Sequence, residues 1–220
     1  MDFLTIFNYE LKSLVKSAKS TVISLALTSF FWGIFFSLNI FTGAREEFLL
    51  VWLMFFALLA SVGFAGVSFV RERLSGSWEI LIASGISRKT IFGAKFVFVQ
   101  SASFFWGALT LLIAYIAAFF VWNFYVEISL PFVLMVFFLA TLAVNAITAY
   151  LTIININNRA IQLINFAGIT VMSLSVYFID YGQVSGKLAI TAILLIPSVF
   201  VMFFIPNALY DDKTVQRVIY

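Results

Sequence analysis

The side chains able to do chemistry in this chain gather in one stretch, Arg71 to Lys95, which reads RERLSGSWEILIASGISRKTIFGAK. Five of the thirteen basic residues stand there (Arg71, Arg73, Arg88, Lys89 and Lys95), together with Glu72 and Glu79. Mixed charges at this density can form the polar rim of a protein contact or engage lipid headgroups. Catalysis by this chain has little to work with. There is no His and no Cys, which removes imidazole acid–base chemistry, imidazole metal ligation, disulfides and thiolates. Lys89-Thr90 could close a phosphate loop, but that pattern needs Gly at positions 83 and 88, where Ala83 and Arg88 stand. Neither a Ser/His pair, nor HExxH, nor a pair of membrane-embedded aspartates is available for proteolysis. If ATP is used, another chain must bind it.

The rest of the sequence is a setting for that stretch. Hydrophobic residues make up 63% of the chain and charged ones 10%, with a mean hydropathy of +1.09. A soluble domain carries about a quarter charged residues, so the chain reads as an all-α integral membrane protein, a single transmembrane domain over residues 1–220. The 28 Phe and five Trp suit helices that pack by shape, because burial against a neighbour gains little over burial against acyl chains. A net charge of +3 would suggest nucleic acid for a soluble protein. Here it reflects where the loops lie, and no nucleic-acid partner is expected.

Six apolar segments are expected to span, at about 21–41, 49–70, 96–122, 130–154, 161–179 and 188–205. Residues 1–20 read as an interfacial helix, with Phe3, Phe7, Leu11, Leu14 and Val15 on its apolar side. Ser29, Gly33 and Ser37 recur every fourth position in the first span, a small-residue stripe for internal helix packing or for a second subunit. The fourth span carries Thr141, Asn145, Thr148 and Thr152. An Asn there must find a partner, so these residues are read as packing glue or as pathway contacts. No Asp, Glu, Lys or Arg falls within the six apolar cores, which weighs against an ion-coupled carrier. The loop Tyr181–Lys187 separates spans five and six, with Pro197 inside the last span and Pro206 just beyond it.

Charge sets the expected orientation. Eleven basic residues fall in the N-terminal arm, the 71–95 segment, the Arg159 turn and the tail 206–220, against only Arg45 and Lys187 on the other side. By the positive-inside rule both termini and the 71–95 segment face the cytoplasm, in water. Within that segment Trp78, Leu81 and Ile82 share a helical face beside Glu79, with Gly76 and Gly85 at either end. A short helix held flat between two spans is a lever for a soluble partner.

The order of residues in this segment resembles the loop between spans two and three of membrane subunits of type-2 ABC exporters. The resemblance is carried by Arg71-Glu72-Arg73, Gly76, Glu79, Leu81-Ile82-Ala83-Ser84, Ile86-Ser87-Arg88, Ile91, Gly93 and Lys95. Gly85 stands where that family often has Pro. Compact six-span members, such as the haem exporter-like permease of cytochrome c maturation, are similar in size. Nothing points to haem itself, since Tyr115, Tyr150, Tyr177 and the five Met are ordinary packing residues. The resemblance implies a permease that pairs with a second permease copy or a related one and with ATP-binding subunits, which hold ATP and Mg²⁺. It makes Gly76–Ser84 a coupling helix, with Glu72 and Glu79 as its acidic positions and Arg73 and Arg88 as its basic ones. The chain itself binds no cofactor and is no enzyme on this reading. Two other classes stay open: a partner-free secondary carrier or channel, and a membrane scaffold that transports nothing. The same central helix could also rest on lipid headgroups.

Overall fold

The computed structural model describes residues 3–16, 19–38, 46–65, 68–69, 85–121, 130–154, 157–179 and 183–210. Seven helices and no strand occur among them: α1 (Phe3–Lys16), α2 (Lys19–Phe36), α3 (Glu46–Ala65), α4 (Arg88–Phe120), α5 (Leu130–Ile153), α6 (Asn158–Tyr177) and α7 (Val184–Tyr210). Of these, α4, α5 and residues 184–203 of α7 are long and apolar enough to cross a membrane. The apolar runs in α2 and α3 are shorter, at Ala26–Phe36 and Leu50–Ala65. The first turns of α6 carry Asn158, Arg159, Gln162 and Asn165, which lowers its apolarity.

Two boundaries differ from expectation. The third apolar helix starts at Arg88 rather than at residue 96 and runs 33 residues, about 50 Å against a hydrocarbon layer of about 30 Å. Its start is fixed by chain chemistry. Gly85 takes φ +80°, a left-handed conformation open to Gly and closed to the Pro common at this place in the resembling family. Ser87 then caps the helix, its Oγ accepting from the Thr90 amide at 3.1 Å. The last helix begins at Val184, inside the expected 181–187 loop, and continues through both Pro197 and Pro206.

Helix α5 is the hub, packed against α3, α4, α6 and α7. At its centre Phe137 is fully buried, with the Phe56 ring 5.4 Å away and Phe56 in turn 5.2 Å from Trp106. Gly107 of α4 makes room for this cluster: a Cβ there would lie 2.0 Å from the Phe137 ring. On another face of α4, a Cβ on Gly33 of α2 would lie 2.6 Å from Ile113 Cγ2. Close packing of this kind is how helices associate where lipid is as apolar as the side chains.

Helix α1 lies on the first turns of α4. Ile6 and Glu10 are its buried residues and Phe7 is half-buried, while Phe3 and Leu11 are exposed. Ile6 joins Ile91 and Ala94 of α4 in a small cluster, and Phe7 meets Phe98 edge-on at 5.9 Å.

Candidate functional site: a buried ion pair and an amide network

Eight of the residues proposed for coupling, Glu72, Arg73, Gly76, Trp78, Glu79, Leu81, Ile82 and Ser84, lie outside the described residues. Arg88 opens α4, half-buried. What the structure does describe is the stem into which that segment feeds.

The stem holds a charge pair that sequence patterning missed. Lys95 is 1% exposed, which corrects the expectation that all of 71–95 lies in water. Its Nζ donates to Glu10 Oε1 across from α1, and Ser68 Oγ lies 3.5 Å from Glu10 Oε2 as a weak further donor. A buried ammonium is tolerated only beside a counter-charge, and a buried carboxylate likewise. Glu10 and Lys95 therefore hold each other in place, and with them α1, the start of α4 and the chain just beyond α3.

Deeper in the bundle the polar stripe of α5 is buried and bonded. Gln100 of α4 donates from Nε2 to Thr141 Oγ1 at 3.1 Å and to the Phe138 carbonyl at 3.3 Å. Asn145 Nδ2 donates to Gln100 Oε1 at 2.8 Å. One turn on, Asn165 Nδ2 of α6 donates to Thr148 Oγ1 at 2.7 Å, and Thr148 and Thr152 donate back to α5 carbonyls. The network joins α4, α5 and α6. Sequence reasoning missed Gln100 and Asn165, although a signal was there: Gln100 begins a small and polar row with Ser103, Gly107 and Thr110, and Asn165 follows Asn158 and Gln162 at helical steps. Asn145 Oδ1 and Asn165 Oδ1 remain buried without a hydrogen-bond partner among the described residues, a cost of about 1–3 kcal/mol each unless something donates to them.

Ser29, Gly33 and Ser37 are all buried within this one chain, Gly33 directly against α4. The structure thus brings together Thr141, Asn145 and Thr148, puts the small-residue stripe at the α2–α4 contact, and joins neither set to Arg88. No protein-family model, curated protein or solved structure matches this chain. The resemblance of the 71–95 segment rests on its residues alone.

Proposed function

We propose that this chain is the permease subunit of an ATP-driven exporter of the type-2 ABC class, embedded in the cytoplasmic membrane with six spans and both termini cytoplasmic. The 76–84 segment is its coupling helix. Trp78, Leu81 and Ile82 seat in a groove of the ATP-binding partner, and Glu72, Arg73, Glu79 and Arg88 form the rim. ATP and Mg²⁺ are held and hydrolysed in that partner, and a second permease copy or a related one completes the pathway.

One observation supports this reading more than any other. The segment joins a single continuous helix, α4, capped by Ser87 and fastened to α1 through Lys95 and Glu10. A push on residues 76–84 is delivered to a rigid rod that also contacts α2, α3 and α5. Packed interfaces of this sort shift between discrete arrangements rather than deform smoothly, which suits a power stroke supplied from outside. The test is purification of the chain from its native membrane, followed by mass measurement of the intact assembly. An ATP-binding chain is expected in it, released by Trp78→Ala or Glu79→Lys without loss of the permease's own thermal stability. An assembly lacking any ATP-binding chain, or variants that retain one normally, overturns the reading.

A further inference from the structure

Helices α3 and α6 run antiparallel and leave a groove of about 480 Å³ between them. Its α3 wall is Leu58, Leu59 and Val62, and its α6 wall is Leu163 and Phe166, with Gln162 and Arg159 at one end. The Phe55 ring, 6.1 Å from that of Phe166, stands at the opposite end. From Arg159 to Phe166 the groove is about 10 Å long at 1.5 Å per helical residue. Arg159 is exposed, and no carboxylate among the described residues pairs with it.

Depth decides what fits. Helix α6 has 20 residues, about 30 Å, so if it spans the hydrocarbon layer its first turn lies at the headgroup boundary. Arg159 and Gln162 then stand at phosphate level, and the aliphatic walls beyond them lie at acyl-chain depth. The positive end of α6 adds to the attraction for an anion at that place. We infer that the α3–α6 groove holds one anionic phospholipid, its phosphate on the Arg159 guanidinium and the Gln162 amide, and one acyl chain along Leu58, Leu59, Val62 and Leu163. An acidic protein segment would satisfy Arg159 but would leave the aliphatic walls unmatched. A zwitterionic lipid would fill the walls but would bring its own cation to Arg159.

The test needs no ATPase, so it is independent of the transport reading. Delipidated full-length chain is titrated with phosphatidylglycerol or with phosphatidylcholine of identical chains, and bound lipid is counted by native mass spectrometry. About fivefold stronger retention of phosphatidylglycerol is expected, the factor due to one basic side chain at an anionic surface. Arg159→Gln abolishes the preference, Arg159→Lys keeps it, and Leu163→Trp, which narrows the groove where the acyl chain would lie, lowers retention of both lipids. Equal retention by the unaltered chain, a preference that survives Arg159→Gln, or indifference to Leu163→Trp overturns the proposal. So does full displacement by glycerol phosphate, which has a headgroup and no tail, or displacement of lipid by a second copy of the chain.

Discussion

Breaking the Glu10–Lys95 pair on one side should loosen α1 far more than removing both charges together. Taking away one partner of a buried pair costs on the order of 3–5 kcal/mol while the other charge stays buried. Here the full penalty never develops, because α1 can lift off and return its residue to water. The contacts resisting that are chiefly Ile6 against Ile91 and Ala94 and the edge of Phe7 on Phe98. Burying the Ile6 side chain contributes about 1.5–3 kcal/mol and half-buried Phe7 adds to it, which brings the observable effect to about 3 kcal/mol or somewhat more, on the order of a hundredfold in the open fraction. The chain has no Cys, so Ala94→Cys, fully buried beneath Ile6, is a unique reporter of undocking. In that background Lys95→Met and Glu10→Leu should each speed maleimide labelling by about a hundredfold. The double variant should fall back to within about threefold of the parent, because a well-packed apolar replacement of a buried pair is close to neutral. Singles that label at the parental rate, or a double variant as reactive as the singles, would refute the reasoning.

Gly107→Ala should lower thermal stability by about 1–3 kcal/mol through overpacking against Phe137, while Gly168→Ala, with nothing within 4 Å of the added Cβ, should be neutral or gain up to about 1 kcal/mol. Melting in the same detergent compares the two. Asn145→Leu orphans the Gln100 carbonyl and should cost about 0.6–1.7 kcal/mol. A Gln100→Leu/Asn145→Leu cycle measured by unfolding should be non-additive, with the double variant recovering part of the loss. Gly85→Pro cannot adopt the observed φ of +80° and should unwind the start of α4, seen as faster amide exchange over residues 88–91, whereas Gly63→Ala should leave that exchange unchanged.

Much of the helical frame could be read from apolar runs alone, because a stretch such as 130–154 admits no other structure in a membrane. The α5 stripe was legible for the same reason, since Thr141, Asn145, Thr148 and Thr152 recur at three- and four-residue steps. Their partners were not. Gln100 and Asn165 meet the stripe only through the packing of α4 and α6 on α5, and no local pattern encodes which helices become neighbours. Lys95 shows the same limit more sharply. Charge placed it in the aqueous segment, but Glu10, 85 residues away in sequence, neutralises it inside the fold. The same pairing sets Glu10 beside Ile6 on the side of α1 that meets the bundle, while Phe3 and Leu11 stay exposed. Residues 71–84, where the resemblance is strongest, lie outside the described residues, so their bearing on function comes from sequence order and from the stem they enter.

The proposed lever can be tested with one thiol. Ser77→Cys, unique in this Cys-free chain, is exposed to a membrane-impermeant maleimide in sealed vesicles of both orientations, with and without the ATP-binding partner. Labelling only in inside-out vesicles, blocked when the partner is bound, is the result expected of a cytosolic coupling helix. Labelling from the outer face, or labelling that the partner leaves untouched, would contradict it.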